Sequence, residues 1–143
     1  MDYTDVLRNI RQKLGNKSLG ALTEEEKVWF KRKAQEFIDL SLSERTKIRG
    51  LGASYASALL AAHLPDLAPI LDRYVLIGTG IVSVTHRQIK EIETYYGKLI
   101  DEMQHRLLAS EGTKSLRDID KELFIHGSNI IKSAGLSTTE TQS

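Results

Sequence analysis

The sequence contains no cysteine, so disulfide bonds, thiolate nucleophiles and cysteine-bound iron–sulfur or zinc centres are excluded. Proline is nearly as rare, and its two residues, Pro65 and Pro69, fall within one short stretch. The formal net charge is only +1, which excludes the broad positive field of a protein that binds nucleic acid everywhere on its surface. No apolar run approaches the roughly 20 residues that are needed to cross a bilayer.

What is present predicts one domain. A chain of 143 residues with 41% hydrophobic content can bury a single core. We expect that domain over residues 1–135 and a disordered polar tail over residues 136–143. The start of the chain lacks the apolar core of a signal peptide, so we expect a cytoplasmic protein with no membrane partner.

Apolar residues recur at spacings of three and four, which is typical of amphipathic helices. The first such stretch runs from Tyr3 to Leu14, with Gly15 as its stop. Thr23 and Glu26 form a capping-box pattern that predicts the start of a second helix. We expect Ser41 or Ser43 to cap the helix that follows.

The C-terminal half shows the same periodicity. Residues 84–108 are predicted to form the longest helix. Ser115 and Asp118 form another capping box, and the helix that they begin should end at Gly135. We interpret Asp118, Asp120 and Glu122 as capping and surface charge, because alternate positions point to different sides of a helix.

The residues after Pro69 are open to two interpretations. Asp72 could cap a short helix that stops near Gly78. By local propensity, residues 75–77 could equally form a strand, although such a strand would have no partner. The sequence as a whole therefore predicts an all-α, single-domain fold of about five to seven helices.

The chain is organised around residues 42–63, which we interpret as a helix-hairpin-helix. Gly50 and Gly52 are separated by one residue, and such a glycine pair allows two helices to meet at a tight angle. The free amides of Gly52, Ala53 and Ser54 would begin the second helix and form an anion site. Basic side chains precede this turn and could add charge toward a DNA phosphate: Arg45, Lys47 and Arg49. The alternative is a purely structural turn between packed helices.

Residues 42–81 resemble the helix-hairpin-helix DNA glycosylase superfamily. The resemblance lies in the Gly50-Leu51-Gly52 turn, the alanine-rich helix after it and the sequence Pro69-Ile70-Leu71-Asp72. It implies that Asp72 is the catalytic carboxylate. Bifunctional members carry a lysine where this chain has Ser54, so the resemblance implies a monofunctional enzyme. The alternative for Asp72 is a helix cap alone, a role for which aspartate is among the best residues.

Other features of the superfamily are missing. Its enzymes flip a base into a pocket, to which a glutamine-rich helix upstream of the hairpin contributes. Here at most about two helices precede the hairpin, and they lack that glutamine pattern. A second copy of the chain could complete a cleft. The four histidines are too dispersed for a metal site, and no cofactor is expected.

The C-terminal segment carries a second resemblance. Residues 115–124, with the sequence SLRDIDKELF, are similar to the ending of small uncharacterised bacterial proteins that also carry the hairpin and the Pro-Ile-x-Asp sequence. That similarity implies no function.

Three functions are left open. We favour a non-catalytic or degenerate relative of the DNA glycosylases that binds double-stranded DNA through the hairpin. The second is a monofunctional DNA N-glycosylase that uses Asp72. The third is a protein-interaction domain whose hairpin is structural. Of these, we favour a binding protein over an enzyme.

Overall fold

The computed structural model describes residues 3–44, 52–83 and 92–135. These residues form six α-helices and two 3₁₀ turns, with no strand among them. The helices are α1 (Tyr3–Leu14), α2 (Glu24–Glu44), α3 (Gly52–His63), α4 (Arg73–Thr79), α5 (Tyr96–Ala109) and α6 (Leu116–Ser133), and the 3₁₀ turns are Leu19–Ala21 and Ile92–Tyr95. The prediction of an all-α chain is confirmed for these ranges.

Several helix ends lie where the sequence signals predicted them. Both hydrogen bonds of the capping box between Thr23 and Glu26 are formed at the start of α2. The same reciprocal pair joins Ser115 and Asp118 at the start of α6. Gly15 follows α1 with a φ of 54°, in the left-handed region that glycine adopts without strain.

Two helix boundaries differ from the prediction. Helix α2 continues through Ser41 and Ser43 to Glu44, so neither serine caps a new helix. This stretch contains no proline, so no backbone hydrogen bond of the helix is lost. The lower helix propensity of serine costs too little free energy to end a helix. The predicted helix over residues 84–108 is confirmed over residues 96–108, which belong to α5, but residues 92–95 form a 3₁₀ turn that precedes it, and residues 84–91 lie outside the described ranges. Spacings of three and four do not distinguish a 3₁₀ turn from the α-helix that continues it. With 21 residues, α2 is the longest described helix.

Residues 75–77 belong to α4, so the strand interpretation is wrong. Gly78 does not stop this helix but lies buried within it. The helix ends one residue later at Thr79, and Gly80 follows with a left-handed φ of 84°. Side chains from all six helices contribute to one hydrophobic core.

Helices α4 and α6 approach so closely that their backbones are in contact. A Cβ atom added to Gly127 of α6 would lie 1.8 Å from the carbonyl oxygen of Tyr74. A Cβ atom added to Gly78 would lie 2.3 Å from the carbonyl oxygen of Leu123. Only glycine fits at both positions, and beside them the rings of Tyr74 and Phe124 pack with their centroids 5.0 Å apart.

Candidate functional site

Within the stretch whose sequence resembles the DNA glycosylases, residues 68–72 lie in the described part of the chain, and we call them the proline segment. It connects α3 to α4 without forming a helix or a strand. Most of it is buried, so its backbone groups need partners within the protein.

Three side chains from three different helices supply those partners. From α3, the Ser57 hydroxyl accepts a hydrogen bond from the amide of Leu71 at 2.8 Å. From α5, the Tyr96 hydroxyl donates to the carbonyl oxygen of Pro69, also at 2.8 Å. From α6, the Arg117 guanidinium donates to the carbonyl oxygen of Ala68. The proline segment is therefore the junction at which α3, α5 and α6 are joined.

Ser57 and Tyr96 are suited to this role because both are buried. Ser57 has no exposed surface and also donates a hydrogen bond to the carbonyl oxygen of Ser54. Burial raises the pKa of Tyr96 above its ordinary value, so its hydroxyl keeps the proton that it donates. No local sequence pattern predicts the hydrogen bond between Leu71 and Ser57, because the two residues are 14 positions apart.

Asp72 ends the proline segment and caps α4. Its Oδ1 accepts hydrogen bonds from the amides of Tyr74 at 2.7 Å and Val75 at 3.3 Å. The predicted capping role is thus confirmed. Loss of solvent raises the pKa of this half-buried carboxyl, and the two amides and Arg73 oppose that rise only in part.

A second carboxylate, Asp120 of α6, reaches the same junction. Only 8% of the residue is exposed, so its interpretation as surface charge is wrong. Nη2 of Arg117 lies 3.1 Å from its Oδ2. Within the described ranges, neither carboxylate oxygen has a hydrogen bond of full geometry.

The environment of Asp120 favours its neutral form. Burial raises its pKa to about 6, and the charge of nearby Asp72 contributes to the rise. Arg117 and the amide of Ile70 act in the opposite direction without cancelling it.

The spacing of residues could have revealed that Asp120 is buried. It lies four positions after Leu116 and three before Leu123, both of which are buried on α6, and such positions share one helix face. The other two acids of this segment behave as interpreted. Asp118 completes the capping box, and the exposed Glu122 forms an ion pair with Lys114.

The predicted phosphate site is only partly within the described residues. Arg45, Lys47, Arg49 and Gly50 lie outside them. Gly52, Ala53 and Ser54 form the first turn of α3, which contains no acidic side chain. The next residue, Tyr55, is 50% exposed. On the inner face of α3, Ala56 and Leu60 are buried, and Leu59 is partly buried.

An open groove of about 530 Å³ lies elsewhere, between the first 3₁₀ turn and the connection from α5 to α6. Asp66, Leu108 and Lys114 are among its lining residues, and Asp72 is not.

Comparisons with protein-family models, with curated proteins and with solved structures find no match to this chain. Across the described ranges, no three histidine or carboxylate side chains are grouped in a way that could hold a metal ion. In the same ranges, no helix is both long enough and apolar enough to cross a membrane.

Proposed function

We propose that the protein binds the phosphate backbone of double-stranded DNA through the start of α3 and the basic residues that precede it, without catalysing a reaction on the DNA. The observation that carries this proposal is the composition of the first turn of α3. Gly52, Ala53 and Ser54 occupy it, and no acidic side chain is present to repel a phosphate. The amides of a first helical turn have no partners within the helix, and small residues let a phosphate approach them.

The charge for such binding comes from the sequence before α3. Arg45, Lys47 and Arg49 lie within seven residues of Gly52, so the chain concentrates positive charge beside one helix start despite a net charge of only +1. Contacts of this kind bind DNA independently of its base sequence.

The capping role of Asp72 supports a binding protein over an enzyme. Its Oδ1 is engaged by two backbone amides, and a carboxylate that stabilises a sugar cation has to be charged. The capping role accounts for the position of this oxygen without a catalytic role, and burial raises the pKa of the carboxyl, which works against its charged form.

The second candidate is the monofunctional DNA N-glycosylase, which two observations favour. Asp72 is only half-buried, and raised carboxyl pKa values are common at catalytic acids and bases. Neither observation identifies a pocket for a flipped base, and we therefore place this function second.

The DNA-binding proposal is tested by duplex binding across a range of salt concentrations. The logarithm of the affinity should fall linearly with the logarithm of salt, by about 0.9 for each phosphate neutralised. Changing Arg45, Lys47 and Arg49 to alanine should remove most of the binding on every duplex sequence.

A matched control removes the same charge elsewhere. Arg8, Lys121 and Lys132 are exposed residues of α1 and α6, and their triple change to alanine should leave most of the binding intact. Equal binding by wild type and the first triple variant, or no duplex binding by wild type at low salt, would contradict the proposal. Either result would favour the protein-interaction domain.

A further inference from the structure

The outer face of α6 exposes two neighbouring apolar side chains. Phe124 is 44% exposed and Ile125 is 50% exposed, and they are adjacent in the sequence. The other large apolar side chains that are exposed in the described ranges lie singly on three other helices, and they are Val28, Tyr55 and Leu108. Single apolar residues at a surface are ordinary, whereas an apolar patch with a polar rim is typical of an interface.

The charges on this face are arranged about Ile125. Asp118 lies seven positions before it and Lys132 seven positions after it, so the three residues follow one line along α6, about two turns apart. Asp118 and Lys132 are both exposed, and Lys132 takes no part in the ion pairs of the described ranges. Because the line has an acid at one end and a base at the other, it is complementary to itself when the direction is reversed.

We propose that the outer face of α6 binds a second copy of this chain, with the two α6 helices antiparallel about a two-fold axis at Ile125. A two-fold interface requires a surface that is complementary to itself, which this line of residues provides. Ile125 then meets Ile125 of the second copy, and the Asp118 of each copy faces the Lys132 of the other. Phe124 adds apolar area at the edge of the contact.

The remaining residues of the face fit the same arrangement. Lys121 and Glu122 lie about one turn before Ile125, and Ser128 and Asn129 lie about one turn after it. The antiparallel arrangement therefore places Lys121 and Glu122 against uncharged residues of the second copy.

A parallel arrangement would be disfavoured by the same charges. It would place Asp118 against Asp118 and Lys132 against Lys132, and like charges that face each other across an interface are unfavourable. The charge pattern of α6 thus selects the antiparallel pair. This contact does not depend on DNA binding.

Sedimentation of the wild-type protein without DNA, from micromolar to millimolar protein concentration, tests for this dimer. A contact made by one helix from each copy is small, so we expect a weak, reversible dimer whose share grows with concentration. A monomer over the whole range would overturn the proposal, whatever the outcome of the DNA-binding measurements.

A charge reversal at Lys132 tests the antiparallel arrangement. Lys132→Glu places two acids against each other in both halves of the contact, so the dissociation constant of the dimer should rise by at least about tenfold. Lys121→Glu is the matched control, because it makes the same change in charge on the same helix opposite uncharged residues. It should change the dissociation constant by less than about threefold, and equal effects of the two reversals would contradict the antiparallel pair.

Mixing two charge-reversed variants should restore the contact. Lys132→Glu and Asp118→Lys should each dimerise poorly alone, whereas together they pair opposite charges at both ends of the contact. Circular dichroism checks that Asp118→Lys folds, since this change also removes half of the capping box. A mixture of the two folded variants that remains monomeric would contradict the proposal.

A single introduced cysteine gives a second measurement that leaves the capping box unchanged. The chain contains no cysteine, so Ile125→Cys carries one thiol, which meets its symmetry copy at the two-fold axis and should form a disulfide under mild oxidation. Leu108→Cys, at a similarly exposed residue of α5, should remain largely monomeric. Equal amounts of disulfide-linked dimer in the two variants would contradict the proposed axis.

Discussion

The contact between α1 and α2 differs in kind from the contact between α4 and α6. The first is made by side chains, with the ring of Tyr3 meeting that of Phe37 edge-on at 5.5 Å and Val6 and Ile10 fully buried. The second is made by backbone, because glycines at its centre leave no room for a Cβ atom. The periodic apolar residues of the sequence predict the first contact. The second depends on two glycines, Gly78 and Gly127, which have no side chain to separate the backbones.

The backbone contact also positions the candidate site. Asp72 begins α4, and Asp120 lies on α6 about two turns before Gly127. A shift between these helices would move the two carboxylates relative to each other and to the proline segment.

The largest effect is therefore expected at Gly127. In Gly127→Ala the new methyl group would lie 1.8 Å from a carbonyl oxygen of α4, and backbone cannot yield as a flexible side chain can. We expect a loss of about 3 kcal/mol or more in the free energy of unfolding, at or beyond the upper end for overpacking. Urea denaturation measures this loss.

Gly97 of α5 provides the matched control. A Cβ atom there would lie 3.4 Å from the flexible end of Lys31, so alanine should fit and raise helix propensity. Gly97→Ala should be neutral or more stable by up to about 1 kcal/mol. Equal losses in the two variants would show that α4 and α6 do not meet through their backbones.

A smaller effect is expected where the proline segment meets α3. Ser57→Ala removes the acceptor of the Leu71 amide and leaves a buried donor without a partner. This should cost about 1–3 kcal/mol in the free energy of unfolding, again measured with urea. The control is Thr113→Ala. The Thr113 hydroxyl donates a hydrogen bond to a backbone carbonyl oxygen, but this site is exposed, so water can replace the hydroxyl as the donor. Its change should stay within about 0.5 kcal/mol, and a similar small change in Ser57→Ala would contradict the proposed junction.

Much of the helical architecture could be predicted from the sequence because its signals are local. The capping boxes at Thr23 and Ser115 and the cap at Asp72 each involve residues within one helical turn. The boundaries at Ser41 and at Ile92–Tyr95 could not, because no local signal there separates a helix that continues from one that begins. The predicted end of α4 near Gly78 is correct to within one residue, but no local signal distinguishes Gly80, which ends the helix, from Gly78, which lies at a close helix crossing.

The site was predictable only in part, for the same reason. The role of Asp72 follows from its own neighbours, whereas Arg117 and Asp120 reach the proline segment across about 50 intervening residues. The sequence shows the Pro69-Ile70-Leu71-Asp72 motif and the motif over residues 115–124 as separate features. Only the packing of α4 on α6 brings them together.

The role of Asp72 is tested most directly by measuring free-base release from damaged and mismatched duplex DNA. If Asp72 is only a helix cap, we expect wild-type protein to release no free base. Asp72→Asn should then fold and bind duplex DNA as wild type does, because asparagine caps a helix nearly as well as aspartate. Base release by wild-type protein that disappears in folded Asp72→Asn would contradict this role. It would identify Asp72 as a catalytic carboxylate.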